Sequence, residues 1–108
     1  MNSKDKNIDI TRNIKIIEWL KSELLTAVAS LFELLVKGVK NSQDAISDIL
    51  ANIILLTYLL GRRLGVSFEK LDSKVESKLK LGIIEEHNIE KWYGDLNSLL
   101  EYFKRTRE

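Results

Sequence analysis

The sequence predicts an all-α protein, a bundle of four or five helices, on three observations. Apolar residues recur at spacings of three and four along most of the chain, the periodicity of one helix face. Proline is absent, and the only glycines stand at 38, 61, 65, 82 and 94, so no breaker falls inside the first long periodic segment. No apolar–polar alternation of useful length offers a strand.

Taken in order, Met1-Asn2-Ser3-Lys4-Asp5-Lys6-Asn7 is polar, and residues 1–9 are expected to be disordered. A first stripe runs through Ile10, Ile14, Ile17, Leu20, Leu24, Val28, Leu31, Leu35 and Val39, with Asp9 or Thr11 to cap it. Ser22 offers a second N-cap without a breaker beside it, which leaves one rod or two for residues 12–37. Gly38 ends the segment, with Lys37 and Lys40 complementing the helix dipole. Ser42 is a suitable cap for the second helix and Asp44 a suitable first-turn acid. Ile46, Ile49, Leu50, Ile53, Leu56, Leu60 and Leu64 carry that helix to Gly65.

The third helix opens at Ser67, with Val66 and Leu71 placed for a hydrophobic staple, and continues through Val75 and Leu79 to an expected stop at Gly82. The last stripe is Ile89, Trp92, Leu96, Leu99 and Phe103, with Asn88 as cap. Gly94-Asp95 either weakens this helix or makes a turn from which Asp95 caps a shorter one. Trp19, Trp92, Tyr93 and Phe103 stand at core-like spacings and read first as packing. Residues 10–108 are expected to form a single domain.

Apolar residues make up 44% of the 108 and charged residues 31%, a balance that suits amphipathic helices. The net charge is +1 with the basic residues dispersed, so no electrostatic footprint for nucleic acid is present. There is no cysteine, which removes disulfides and thiolate metal sites. The start of the chain lacks the apolar core of a signal peptide, and a cytoplasmic location is expected. Ile49 to Gly61 carries no charge, yet as a helix it spans roughly 20 Å against a hydrocarbon core of about 30 Å. A helix apolar nearly all round is then expected inside a bundle that self-association completes, as a dimer or higher oligomer and away from membranes.

Leu34-Leu35-Val36-Lys37-Gly38, a short polar loop, Ala45-Ile46-Ser47-Asp48-Ile49-Leu50 and then Tyr58-Leu59-Leu60-Gly61-Arg62-Arg63-Leu64-Gly65-Val66 follow one another. This succession resembles the MazG-type all-α nucleoside triphosphate pyrophosphohydrolases, and more narrowly the short MazG-like proteins distantly related to them. The resemblance covers roughly residues 20 to 80; the tail from Glu85 to Leu96 is similar to the short subgroup only. It implies the all-α pyrophosphatase fold, completed by dimerisation, and the last apolar stripe predicts a C-terminal helix over about 88–105. The implied activity cleaves a nucleoside triphosphate to monophosphate and pyrophosphate.

In the active enzymes one helix carries Glu-Glu-x-x-Glu and the next Glu-x-x-Asp. Residues three and four apart share a helix face, so these carboxylates converge on Mg²⁺, a hard cation that takes oxygen ligands. Anchored on Lys37-Gly38, the first motif falls here on Thr26-Ala27-Val28-Ala29-Ser30 and the second on Ala45-Ile46-Ser47-Asp48. Of the family's acids, only Asp48 stands at its place. The resemblance also places a phosphate-contacting lysine at Lys74 or Lys78.

Asp48 reads as a metal ligand or as an acid that complements the helix dipole. Glu23, one turn below the vacated position, is the acid that could join it; its plainer reading is a solvated charge beside Lys21. Asn52 offers an amide oxygen or an interhelical hydrogen bond, and Thr26 and Ser30 offer neutral hydroxyls, which do not offset a divalent charge. His87, with Glu86 and Glu90, reads as helix capping and solvent exposure, because no second histidine exists to complete a zinc site. Arg62-Arg63 is explained by the dipole of its helix, with phosphate binding only if the fold brings the pair near Asp48. Two functions are thus expected to compete: nucleotide binding or weak pyrophosphohydrolysis with Mg²⁺ on a degenerate site, and a non-catalytic dimerisation or protein-interaction module. A DNA-binding domain ranks third.

Overall fold

A computed structural model describes residues 3–38, 43–85 and 88–106. Among the described residues there are five helices and no strand: α1 (Ser3–Lys37), α2 (Gln43–Arg63), α3 (Phe68–Ile84), α4 (Asn88–Tyr93) and α5 (Asp95–Thr106). The helices fall into two compact units, Met1–Ser67 and Phe68–Glu108.

The first unit is a hairpin of α1 and α2. α1 is a single rod without interruption at Ser22, and it begins at Ser3. Its covered positions run Asn13, Ile17, Leu20, Leu24, Ala27, Leu31 and Leu34; those of α2 run Ile46, Ile49, Ile53, Leu56 and Leu60. The steps alternate between three and four, the repeat that keeps two helices in contact by slight left-handed supercoiling. The stripe expected from the sequence drifts off this seam at both ends, because its average step is that of a straight helix: Ile10, Ile14 and Leu35 are exposed. Leu20, Ala27 and Leu56 are the buried heart of the hairpin, with Leu24, Ile53 and Leu60 packed against them.

The far end of the hairpin is tied by backbone and amide. Gly65 takes φ +90°, and its N–H donates to Arg62 O at 3.2 Å while Val66 N–H donates to Gly61 O at 2.8 Å. This is the paired bonding of a Schellman motif, for which a residue without Cβ is suited. Asn13 Nδ2 reaches across from α1 to donate to Arg63 O at 3.3 Å, which marks the register of the antiparallel helices. The Ser42 cap lies outside the described residues.

In the second unit α3 and α5 pack through Leu79 and Leu100, and α4 lies against α5. Gly82 does not stop α3, which continues to Ile84. Its role is steric: a Cβ there would stand 2.8 Å from Leu96 Cδ1. Helix propensity favours alanine over glycine by about 1 kcal/mol, and the Leu96 tip is flexible. Gly82→Ala is therefore expected to leave stability within about 1 kcal/mol of the parent, whereas Gly82→Phe forces α3 from α5 and costs about 1–3 kcal/mol. Urea unfolding of both variants checks the contrast.

The Gly94-Asp95 alternative resolves as a break. Gly94 has φ +69°, its carbonyl accepts from Ser98 N–H at 3.1 Å, and α5 starts at Asp95. Gly94 has no side chain to cap α5, and the Glu90 carboxylate takes that place, accepting from Asn97 N–H at 3.1 Å.

Much apolar surface stays uncovered within the chain. Trp19, Trp92 and Tyr93, expected as packing residues, are exposed. α2, at 21 residues with a best-window mean hydropathy of 1.5, is long and apolar enough to cross a membrane, and only 6% of that window is buried. The helix is longer than its uncharged stretch, because Asp48 and Arg62 lie inside its ends. A bundle's core helix has the same length and composition.

Candidate functional site: one flank of the helical hairpin

The hairpin presents a flank on each side of its seam. Ile16, Trp19 and Leu20 of α1 line a groove with Leu59, Arg62 and Arg63 of α2, which defines one flank. Helical spacing continues it through Glu23, Thr26 and Ser30 on α1, and back through Leu55, Asn52 and Asp48 on α2. In the register marked by Asn13 and Arg63, Leu20 stands level with Leu56 and Ala27 with Ile49. Glu23, Thr26, Ser30, Asp48 and Asn52 therefore share a face. The opposite flank carries the exposed apolar residues Ile14, Leu25 and Phe32 with Leu50 and Ile54, together with the Lys21–Glu18 pair.

Asp48 and Asn52 line an open concavity of about 470 Å³ with Ile49, Ala51 and Leu55. Asp48 is exposed and does not enter the core, so burial creates no demand for a partner. Nor does it complement the helix dipole from the first turn, where Asp44 stands; Asp48 belongs to the second turn of α2. Asn52 is also exposed, and its amide bridges no helices among the described residues; the interhelical amide bond of the hairpin belongs to Asn13. Glu23 is half-buried beside the seam, and the nearby Lys21 pairs instead with Glu18 at 3.0 Å.

Ala27, where the α1 motif has a carboxylate in active enzymes, is 7% exposed and packs with Leu20 and Leu56. A methyl group fills that space. Among the described residues no three His, Cys, Asp or Glu side chains gather closely enough to hold a metal ion. Two carboxylates and an amide fall short of the oxygen set that an octahedral Mg²⁺ takes from protein in a multi-carboxylate site. The donors present do not fit such a cluster.

Lys74 and Lys78 are exposed on α3, one turn apart on a common face of the second unit. Lys80 pairs with Glu76 at 3.5 Å. His87 and Glu86 lie outside the described residues, and Glu90 is engaged in capping α5. Arg62 and Arg63 stand about four helical turns from Asp48 along α2, roughly 20 Å, so the fold does not bring them to it.

The Trp19–Arg63 groove is the feature that sequence reasoning missed. Its signal was the heptad phase: Trp19 and Arg62 flank seam positions that the antiparallel register places side by side. Glu90 was missed because its partner lies seven residues away, beyond the reach of ordinary capping patterns.

An antiparallel helical hairpin with one polar flank, followed by a smaller helical unit, defines an all-α protein. The family model for the MazG-like family matches residues 10–96, and the chain belongs to that family. No curated protein and no solved structure matches the chain.

Proposed function

We propose that this chain is a self-associating, cytoplasmic MazG-like protein that binds nucleotides through a degenerate form of the family's site and lacks its usual hydrolysis. The observation that carries this reading is Ala27 in the hairpin seam, flanked by the neutral Thr26 and Ser30, with Asp48 alone in its motif place. Without several carboxylates, Mg²⁺ is not held where it would neutralise a triphosphate and activate water. Asp48, Glu23 and Asn52 keep polar groups on that flank, and in the second unit Lys74 and Lys78 are exposed cations open to phosphate.

Self-association rests on the apolar flank. Leu25 is 72% exposed and Phe32 64%, on the same flank of the hairpin as the exposed Leu50 and Ile54. A contiguous apolar face of this kind marks an interaction surface. The same face supports the second reading, a dimerisation or protein-interaction module without nucleotide.

Pyrophosphate release from a panel of nucleoside triphosphates, with Mg²⁺ or Mn²⁺, tests the first point. The expected result is no release above that of Asp48→Ala, together with a thermal shift by at least one nucleotide. Release abolished by Asp48→Ala identifies a working hydrolase; no shift by any nucleotide leaves the interaction module. Size-exclusion chromatography with light scattering, without detergent, is expected to show a species at a multiple of 12.5 kDa. A monodisperse monomer at micromolar concentration, or a need for detergent, overturns self-association.

A further inference from the structure

We infer that the groove at the open end of the hairpin is a separate ligand site for an aromatic anion, with a nucleotide's base stacked on Trp19 and its phosphate held by Arg63. The groove is open and holds about 300 Å³, lined by Ile16, Leu20 and Leu59, the Trp19 indole, and Arg62 and Arg63. Its size and lining fall in the range of small-molecule sites, apolar with a few placed charges. The Trp19 side chain is 55% exposed, so one part of the indole is held by the hairpin while the rest is open to a partner. Aromatic stacking on a base is sequence-tolerant, and a guanidinium binds phosphate with charge-assisted hydrogen bonds.

Arg63 complements the dipole at the end of α2 without being tied to its carbonyls. The last four carbonyls of the helix already have other donors: Leu60 O and Gly61 O accept from Leu64 N–H, Gly61 O also from Val66 N–H, Arg62 O from Gly65 N–H, and Arg63 O from Asn13 Nδ2. The Arg63 guanidinium is not needed to satisfy them. Asp9 lines a neighbouring groove with Arg63 but makes no ion pair with it, and no carboxylate pairs with Arg63 among the described residues. The site uses no metal and none of Asp48, Glu23 and Asn52, which stand farther along the same flank. It rests on the nucleotide reading for the class of ligand only.

The test uses the full chain carrying Trp92→Phe, so that Trp19 is the sole tryptophan, titrated with nucleoside mono- and triphosphates in the presence of EDTA. Saturable quenching of Trp19 fluorescence is expected, weakened about tenfold by Arg63→Gln and matched by loss of nucleotide binding in equilibrium dialysis for Trp19→Leu. Trp19 and Arg63 are both outside the hairpin core, and circular dichroism confirms that each variant folds. Dialysis that shows binding undiminished in Trp19→Leu and Arg63→Gln, yet lost in Lys74→Gln/Lys78→Gln, overturns this site and leaves the nucleotide reading standing. No binding by any nucleotide overturns both. Dissociation of the oligomer by Trp19→Leu, without a change in nucleotide binding, makes the groove a subunit contact and overturns the site.

Discussion

Leu56→Ala is expected to cost about 2–5 kcal/mol, the range for truncating a buried leucine where the surroundings cannot collapse. Leu56 is 5% exposed and belongs to a core cluster whose other buried members are Leu20 and Ala27. A domain of this size has of the order of 5–15 kcal/mol of total stability, so this change removes a large share of it. Leu20→Ala, at 2% exposure the most deeply buried position, should match it. Helicity followed by circular dichroism through a urea titration checks both, with exposed Ser73→Ala expected to stay within about 0.5 kcal/mol. A loss below about 1 kcal/mol for Leu56→Ala would show that the seam described here does not hold the hairpin together.

Ala27→Glu is expected to cost about 3 kcal/mol or more at neutral pH, because it places a carboxylate between Leu20 and Leu56 without a partner. Burial raises the folded-state pKa of the introduced carboxyl above its unfolded value near 4.3. The folded state then binds more protons between the two values, so stability falls as pH rises through that window and is flat above it. Measured at acid pH, the same variant should lose less. Mg²⁺ is expected to recover none of the loss, since position 27 lies at the seam and Asp48 on the flank. Recovery by Mg²⁺ would instead show that the hairpin still shapes a cation cavity between Glu23 and Asp48.

The contrast between Ala27 and Asp48 shows how far the candidate site could be read in one dimension. Motif spacing located both residues, because helix periodicity alone decides which positions share a face. It did not show that Ala27 had become core, since that depends on the partner helix and on the drift between a 3.5-residue seam and a 3.6-residue helix. The same drift moved Ile10, Ile14 and Leu35 out of the contact that the stripe had promised them. Gly82 was misread as a stop for a related reason: a glycine inside a helix can mark a close approach, and only Leu96 on α5 reveals it.

Local chemistry was enough for the all-α class, the helix that ends at Gly65, the start at Ser67 and the option of a break at Gly94. These follow from propensity, φ preference and capping, all of which act within a few residues. Family membership was legible for the same reason, in consecutive residues around Arg62-Arg63-Leu64-Gly65-Val66. The tertiary structure decided the rest: the single rod of α1, the antiparallel register marked by Asn13 on Arg63, the cap that Glu90 lends to α5, and the meeting of Trp19 with Arg63. Each of these joins residues far apart in the chain or settles a choice that local preference leaves balanced, and such pairings are fixed by packing between elements.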